Sequence, residues 1–354
     1  MLGLLRGPEE RRRLAQQEIA DAHPRHLIFQ DRLNVEYLDD AVDRLPAAKR
    51  LFYRRLPAWV SQVVSTYANR RECDAVISWG ERQSLLFALI LKLTASRTRH
   101  VALLYWISPP RKARLLRLVA SHIDHIVTWS SVQHQFAVQR LRIPASRITL
   151  TYHPVDQRFW RPMGRSTDMV CAAGNEMRDY PTLIEAMRGL DIRCHIAVRE
   201  IPAGASGKLA TVGTVRDRGA LPWNVSVGPK TYAELRDLYA RSRFVIVPLK
   251  PTDTDNGVTT ILEAMAMGKA VICSRVTGQV DVVVEGRTGI FVPQGDPEAM
   301  RDAIRYLWAH PEVAERMGQE GRRQVEARHT IDQFAETVRG VVESVIAQPR
   351  LAVS

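Results

Sequence analysis

The chain contains no long apolar run. A helix that crosses a bilayer needs a predominantly apolar stretch of about 18 residues or more, and the sequence of 354 residues has none. The amino-terminal segment MLGLLRGPEERRR has too short an apolar part for a secretory signal. We therefore expect a cytoplasmic protein that does not span a membrane.

Cysteine is scarce as well. The chain has four, which are scattered along it: Cys73, Cys171, Cys194 and Cys273. Their spacing is neither that of a metal site nor that of a disulfide framework. Two of them fall within apparent core strands, so we expect buried free thiols in a reducing compartment.

The first half of the chain has too few acidic residues to balance its lysines and arginines. Residues 1–163 contain 26 Lys and Arg against 14 Asp and Glu, whereas the rest of the chain has 24 of each. The whole net charge of +12 therefore comes from the first half. Two explanations remain open: attraction to an anionic partner, such as a lipid surface, a phosphorylated acceptor or nucleic acid, and ordinary Arg-rich solubility.

The segment RKARLLRLVA predicts a short basic amphipathic helix. Its two faces are formed by Arg111, Arg114 and Arg117 and by Leu115, Leu118 and Val119. Such a helix can lie on an anionic membrane, and it can equally be a surface helix that covers a sheet. Two other basic clusters, at residues 11–13 and 49–55, favour the membrane. Aromatic residues fall on apparent core elements, which argues against a surface for nucleic acid.

Short apolar runs alternate with helical patterns along the chain, as is typical of a parallel sheet with helices on its faces. Predicted strands include residues 26–30, 74–79, 100–106, 123–129, 148–152, 169–173, 192–198, 225–227, 244–248, 270–273 and 290–292. The polar, Pro-containing segment 151–168 has no periodicity and indicates a hinge. We therefore expect an α/β protein with two Rossmann-like halves and a cleft between them.

The stretch VIVPLKPTDTDNGVTTILEAMAMGKAVICS combines a strand, a polar loop, a helix and a second strand. The helix is predicted at residues 258–268, with the single acid Glu263 in an apolar run. Gly257 leaves room for a ligand to approach the N–H groups at the helix start, where anions bind well. Because Asp255 and Glu263 stand on either side of that anion site, the pattern indicates a site for a nucleotide sugar.

The longer sequence DNGVTTILEAMAMGKAVICSRVTGQVDVVVEGRTGIFVPQGD closely resembles the donor-site signature of family 4 of the GT-B glycosyltransferases. In that family an acid, seven residues and a Glu precede AMAxGxPV, and DGxTGxLVPPGD follows. RLRIPASRITLTYHPVDQRFWRP resembles the interdomain segment of the family, and AAGNEMRDYPTLIEAM resembles its GRxxxxKGxxxLIEA segment. The resemblance covers residues 125–345 and is weak over residues 1–75.

The resemblance implies a GT-B fold, in which two Rossmann-like domains flank a deep cleft. Residues 1–160 would form the acceptor-binding domain, with a first strand that is missing or degenerate in the segment LGLL. Residues 161–330 would bind the nucleotide sugar, and residues 331–354 would form a helix that crosses back to the first domain.

The resemblance also implies roles for single residues. Glu263 matches the acid that binds the ribose, and a carboxylate can accept two vicinal O–H groups. Asp255 matches an acid, normally Glu, that contacts the transferred sugar, and its side chain is one methylene shorter. Gly257, Val258 and Thr259 correspond to the backbone N–H donors for the diphosphate.

Five further positions follow the family pattern less closely. Arg178 stands where the family has the Lys of an Arg/Lys pair that neutralises the diphosphate, and Arg can grip phosphate bidentately. The first Arg of the pair is not matched, since Asn175 is the nearest residue; Lys230 could replace it or could face water. Gly228 and Tyr232 lie where the nucleobase usually packs.

We therefore expect a retaining enzyme that moves a hexose-type sugar from a UDP- or GDP-linked donor to a lipid-linked, polysaccharide or small-molecule acceptor. The expected location is the cytoplasm or the inner face of the cell membrane. No metal and no other cofactor is expected, because the pair Asp253-x-Asp255 matches the sugar-contacting loop of the family. Nucleotide-sugar epimerisation, phosphorolysis and a non-catalytic protein that binds an anionic partner remain alternatives.

Overall fold

The computed structural model describes residues 8–33, 35, 55–165, 168–198, 215 and 221–348. The chain divides into two compact units. Unit 1 comprises Met1–Ile19, His26–Tyr152 and Asp332–Ser354, and unit 2 comprises Ala20–Arg25 and His153–Ile331. The segment LGLL and most of the basic cluster at residues 49–55 lie outside the described residues.

Unit 1 is built on a parallel sheet with the strand order β1-β2-β3-β4. The strands are β1 (Val76–Trp79), β2 (His100–Leu103), β3 (His125–Thr128) and β4 (Ile148–Leu150). The helices that precede or connect them are α1 (Pro8–Ile19), α2 (Ile28–Leu33), α3 (Ala58–Asn69), α4 (Glu81–Leu93), α5 (Pro110–Val119) and α6 (Ser131–Gln139). Because the strands add in one direction and parallel crossovers are right-handed, α4, α5 and α6 share one face of the sheet. Their residues Leu85, Leu116 and Ala137 form a single core with Ala102, Ile126 and Ile148.

Unit 2 is built on a six-stranded parallel sheet with the order β10-β9-β8-β5-β6-β7. Its strands are β5 (Met169–Ala173), β6 (Arg193–Ala197), β7 (Val225–Gly228), β8 (Ser242–Val247), β9 (Ala270–Ser274) and β10 (Gly289–Val292). Its helices are α7 (Tyr180–Met187), α8 (Tyr232–Arg241), α9 (Val258–Ala266), α10 (Pro297–Ala309) and α11 (Pro311–Arg328). The chain leaves β5 toward one edge of the sheet and β8 toward the other, so the strand order reverses between them. Ligands of open α/β sheets bind at such a switch point, beyond the carboxyl ends of the strands.

The last helix, α12 (Ile331–Ala347), covers the face of the unit 1 sheet opposite α4, α5 and α6. The ring of Phe334 lies 5.8 Å from the rings of Trp79 and Phe29 and 6.1 Å from that of Trp129. Side chains spaced along α12 from Phe334 to Val345 are buried as well. The predicted carboxyl-terminal helix therefore supplies one layer of unit 1, and the predicted α/β class is confirmed.

The strand predicted at residues 26–30 is wrong, because this segment enters helix α2. The N–H groups of His26 and Leu27 donate to Glu18 Oε1, at 2.6 and 3.2 Å. A short apolar run cannot by itself distinguish a strand from a buried helix segment. Here the Glu18 carboxylate on α1 accepts hydrogen bonds from the N–H groups of His26 and Leu27, which in a strand would bind neighbouring strands.

Two expectations from the sequence concern the cysteines and the membrane, and both can be compared with the described residues. None of the four cysteines forms a disulfide; Cys171, Cys194 and Cys273 are buried as expected, whereas Cys73 is half-buried. Burial raises the pKa of the Cys171 thiol to about 12, which keeps it protonated and unreactive. Within the described ranges no helix is both long enough and apolar enough to cross a bilayer.

Candidate functional site

The candidate site lies at the switch point of the unit 2 sheet, where the loops after β5 and β8 meet. Residues of the two loops pair as a short antiparallel bridge between Arg178 and Leu249. Around it, the Asp179 N–H donates to the Pro248 carbonyl (3.0 Å) and the Lys250 N–H donates to the Met177 carbonyl (2.9 Å). Two predicted site segments that are about 80 residues apart in sequence are thereby held side by side.

Arg178 is buried at the centre of this arrangement. Its Nε donates to the Ala173 carbonyl (2.9 Å), one terminal nitrogen donates to the Glu176 carbonyl (2.8 Å), and the other donates to Thr260 Oγ1 (2.9 Å). The backbone at Gly174 allows this position, since a Cβ there would stand 2.4 Å from the guanidinium. The Tyr180 side chain is hydrogen-bonded to the guanidinium as well, so these contacts fix its position at the switch point.

Helix α9 begins beside Arg178, and Gly257 caps it with a φ of +90°. A Cβ at Gly257 would lie 3.0 Å from both Leu249 and Val247, so this position has neither the conformation nor the space for a side chain. The Val258 N–H already donates to the Asp255 carbonyl (3.0 Å), while Thr259 is exposed in the same turn. The first N–H groups of a helix lack intrahelical partners, which makes this turn suited to an anion.

Glu263 lies one turn further along α9, on the face that also carries Thr260. It is buried, and its Oε2 accepts a hydrogen bond from the Tyr239 hydroxyl (3.0 Å). Burial, and then the charge of Glu263, raise the pKa of Tyr239 well above its usual value, while the charge of Arg178 opposes that shift. Tyr239 is therefore a permanent donor that orients the Glu263 carboxylate.

Asp255 is buried in the loop before α9, where its Oδ1 accepts from Thr254 Oγ1 (3.1 Å). The loop is braced from the segment after β9. Gln279 Nε2 donates to the carbonyls of Asp255 (3.4 Å) and Asn256 (3.2 Å). The backbone of Gly278 approaches Thr254 so closely that a Cβ would lie 2.0 Å from the carbonyl oxygen. The two residues after Thr277 thus hold the acidic loop in one conformation.

The other predicted residues are arranged less tightly. Asn175 is half-buried in the loop after β5. Gly228 is the last residue of β7, which is two strands away from β5 in the sheet, and Lys230 and Tyr232 follow that strand. Lys230 is exposed, and its positive charge helps to lower the pKa of His195, after the larger effect of burial. The ring of Tyr232 packs edge-on against His23, at 4.4 Å between centroids.

The sequence did not reveal several residues that build the site. Thr260, Tyr239 and Gln279 bind Arg178, Glu263 and the Asp255 loop respectively. Their only sequence signals were Thr260 one turn before Glu263 and a Gly-Gln pair after β9. Among the described residues, no group of three or more His, Cys, Asp or Glu side chains is placed to hold a metal ion.

Comparison with known proteins places residues 177–310 in the family described as glycosyl transferases group 1. A D-rhamnosyltransferase of Pseudomonas aeruginosa is 42% identical over 71 residues, which are 20% of this chain and 18% of the relative. A lipopolysaccharide core biosynthesis mannosyltransferase of Rhizobium leguminosarum is 24% identical over 275 residues, which are 74% of this chain and 72% of the relative. The match therefore spans less than a fifth of the first relative and almost three quarters of the second.

Solved structures show the fold. Sucrose-phosphate synthase from Thermosynechococcus elongatus superposes with a TM-score of 0.70 at 17% identity, over 86% of this chain and 80% of that one. A HepE protein of Anabaena, solved in complex with UDP and glucose, superposes with a TM-score of 0.65 at 15% identity, over 80% of this chain and 81% of that one.

The geometry at the start of α9 predicts that Gly257→Ala destabilises the protein more than Gly286→Ala. Both glycines have a positive φ, and a Cβ has open space at Gly286 but crowds Leu249 and Val247 at Gly257. Both variants should lose about 1–2 kcal/mol from the left-handed backbone, and Gly257→Ala about 1–3 kcal/mol more from overpacking. Urea unfolding of the full chain measures both, and equal losses would contradict the crowding.

Proposed function

We propose that this chain, which belongs to the group 1 glycosyltransferases and has the GT-B fold, transfers a hexose-type sugar from a nucleoside-diphosphate donor with retention of anomeric configuration. The family, the fold and the transferase class predicted from the sequence are confirmed. One observation carries the proposal: a buried guanidinium is bound to the start of helix α9, one turn before a buried carboxylate.

Arg178 and the start of α9 are suited to the diphosphate of the donor. The partial positive charge at a helix N-terminus favours phosphate, and the N–H groups of Gly257 and Thr259 lie in that first turn. Arg178 adds a full positive charge, in a buried setting where charge-assisted hydrogen bonds are strong. Because its other contacts fix the guanidinium before the ligand arrives, little ordering is needed on binding.

Glu263 and Asp255 are suited to hydroxyl groups. A carboxylate accepts two vicinal O–H groups, and Tyr239 holds that of Glu263 in place. We assign Glu263 to the ribose and Asp255 to the transferred sugar. Asp255 is shorter than the Glu of the family pattern, and the brace from Gln279 sets how far its side chain reaches.

In the proposed reaction the C1–O bond to the diphosphate breaks while a bond forms from C1 to the acceptor oxygen. The negative charge that develops on the leaving phosphate is stabilised by Arg178 and the first turn of α9. The proton of the acceptor hydroxyl passes to the departing diphosphate. The residues of this site supply that stabilisation without a metal ion, which is the basis for proposing a metal-independent enzyme.

The product class follows from the relatives. One is named for lipopolysaccharide core synthesis and another for transfer of D-rhamnose. We propose that this chain likewise adds sugar to a lipid-linked or polysaccharide acceptor in glycolipid or polysaccharide synthesis, with a small-molecule hydroxyl as a further acceptor class. UDP- and GDP-linked sugars are both candidate donors, because both carry the diphosphate and the ribose to which we assign these residues.

Titration calorimetry with UDP-, GDP- and dTDP-sugars tests the donor site. The wild type should bind at least one, and Glu263→Ala should weaken that binding about 10- to 150-fold, since hydrogen bonds to a charged group contribute about 1.5–3 kcal/mol. The exposed helical Glu312 supplies the control, and Glu312→Ala should bind like the wild type. If no nucleotide sugar binds, or if Glu263→Ala binds as tightly as the wild type while remaining folded, the proposal is wrong.

We also propose that unit 1 docks on an anionic membrane, through a surface that combines Leu118 and Arg117 of the predicted basic helix with Leu93 of α4. Most of the apolar face of α5 packs against the core, since Val119 is buried and Leu115 is half-buried. Leu118, however, is 53% exposed, and Leu93 at the end of α4 is 77% exposed. Lys92 Nζ donates to the Leu118 carbonyl (2.6 Å), which brings the end of α4 that carries Leu93 close to the end of α5 that carries Leu118. Exposed arginines such as Arg117 stand beside them, as expected for an anionic lipid surface.

Flotation with vesicles tests this surface. The wild type should float with phosphatidylglycerol vesicles and not with pure phosphatidylcholine, and added salt should weaken the binding because the charges are exposed. The double variant Leu93→Ser, Leu118→Ser should reduce flotation several-fold, since two apolar contacts are lost. Leu150→Ser, also at an exposed leucine of unit 1, should leave it unchanged. Equal flotation on both lipids, or no effect of the double variant, would contradict the proposal.

A further inference from the structure

The loops that lead into the first two strands of unit 1 enclose a basic cavity at the amino edge of the sheet. Residues 70–74 precede β1 and residues 94–99 precede β2, and these two strands are neighbours. The cavity between the loops has a volume of about 430 Å³. Its described lining contains one carboxylate, Asp74, and four arginines: Arg70, Arg71, Arg97 and Arg99. We call this cavity with its four arginines the arginine pocket.

The turn at the end of α4 brings the two loops together. Ala95 has a φ of +47°, and the Ser96 N–H donates to the Leu91 carbonyl (2.9 Å), so the helix ends in a left-handed turn that leads the chain back toward β2. Arg70 joins the two loops directly, because its Nε donates to Ser96 Oγ (3.2 Å). Both sides of the pocket are therefore held by contacts within the chain.

The Arg70 guanidinium is fixed in place by its own surroundings. It lies over the Tyr67 ring at 3.8 Å, and one terminal nitrogen donates to the Tyr67 carbonyl (2.7 Å). Together with the contact to Ser96, these hydrogen bonds use two of the five N–H bonds of the guanidinium. An arginine that is held in this way loses little side-chain entropy when its remaining N–H groups bind an anion.

The other three arginines carry charge that is not neutralised by acids in the described part of the chain. Arg71 and Arg97 are exposed, and neither forms an ion pair or a hydrogen bond with any described residue. Arg99 donates to the Gln348 carbonyl (2.9 Å), which is a neutral acceptor. Asp74 likewise has no ion-pair partner within the described ranges. Because like charges repel at short range, this cluster favours a bound anion.

Stabilisation of helix ends explains only one of these arginines. Helices α3 and α4 both end at this edge of the sheet, and a cation near a helix carboxyl terminus is favourable. Arg70 has this role for α3, since it binds the Tyr67 carbonyl of the last turn. Arg71 and Arg97 bind no carbonyl of a described residue, so their guanidinium groups are open to a ligand from solution.

We propose that the arginine pocket binds a phosphate monoester. Such a group carries a charge of about −1.5 to −2 at neutral pH and three acceptor oxygens, and guanidinium groups bind phosphate through paired N–H bonds. The exposed Leu93 of the proposed membrane surface directly precedes residue 94, so the phosphate can come from a lipid headgroup or from a soluble phosphomonoester. This second anion site lies in unit 1 and does not depend on the proposed sugar transfer.

Calorimetric titration with glycerol 3-phosphate tests the pocket. The wild type should bind it, and the double variant Arg71→Gln, Arg97→Gln should bind about 10-fold more weakly, since two charge-assisted contacts at exposed positions are lost. The control is Arg305→Gln, Arg316→Gln, at two exposed helical arginines of unit 2 that form no ion pair with described residues. Because both double variants have the same net charge, a control that binds like the wild type excludes a general loss of attraction.

Urea unfolding distinguishes this role from a structural one. Without glycerol 3-phosphate the pocket variant should be at least as stable as the wild type, because it relieves repulsion and loses no hydrogen bond to a described residue. Saturating glycerol 3-phosphate should raise the urea midpoint of the wild type and leave that of the pocket variant unchanged. A pocket variant that is less stable than the wild type without glycerol 3-phosphate would assign the arginines to the fold and overturn the proposal.

Vesicle flotation separates the two sources of phosphate. Phosphatidic acid ends in a phosphate monoester, whereas phosphatidylglycerol contains only a diester. With a lipid source, the wild type and the control should float better on phosphatidic acid, and the pocket variant should lose this preference. With a soluble source, glycerol 3-phosphate binds and the two lipids are bound equally, which also supports the pocket. If the wild type neither binds glycerol 3-phosphate nor prefers phosphatidic acid, or if the pocket variant matches the control in both experiments, the proposal is wrong.

Discussion

The hydrogen bond from Arg178 to Thr260 is the interaction on which the site in unit 2 depends. It joins the loop after β5 to the first turn of the helix after β8, across the point where the strand order reverses. A guanidinium in that position needs backbone carbonyls to share its charge and a glycine to leave it space, and the chain provides Ala173, Glu176 and Gly174. This contact, together with the backbone hydrogen bonds between the two loops, holds the positive charge beside the helix start that leads to Glu263.

The same solution recurs in unit 1, on different residues. There too the loops at the carboxyl edge of a parallel sheet are held by buried side chains that bind backbone groups, with Glu81 and Gln133 in place of Arg178. Loops beyond the strands lack the ladder that orders the sheet, so their backbone donors need other partners. Side-chain contacts of this kind, from elements that are distant in sequence, hold such loops in one conformation.

How much the sequence predicts depends on whether the signal is local. The strand, loop and helix around Gly257 were predicted nearly to the residue, because hydrophobic periodicity and the glycine cap are written in consecutive positions. Arg178 was proposed as a site residue through the family resemblance, and Glu263 already as the single acid in an apolar helical run. Thr260, Gln279 and Glu81 were not, since a polar side chain that binds a group 23 to 82 residues away leaves no periodic trace. The segment 26–30 failed for the related reason that Glu18 decides its conformation from another helix.

The most direct test of the central claim is a crystal structure of the full chain with UDP or GDP bound. The account predicts diphosphate oxygens within about 3 Å of the Arg178 guanidinium and of the Thr259 N–H, with the ribose hydroxyls on Glu263. A nucleotide bound elsewhere on the chain, or one whose diphosphate makes no contact with Arg178 and the start of α9, would contradict it.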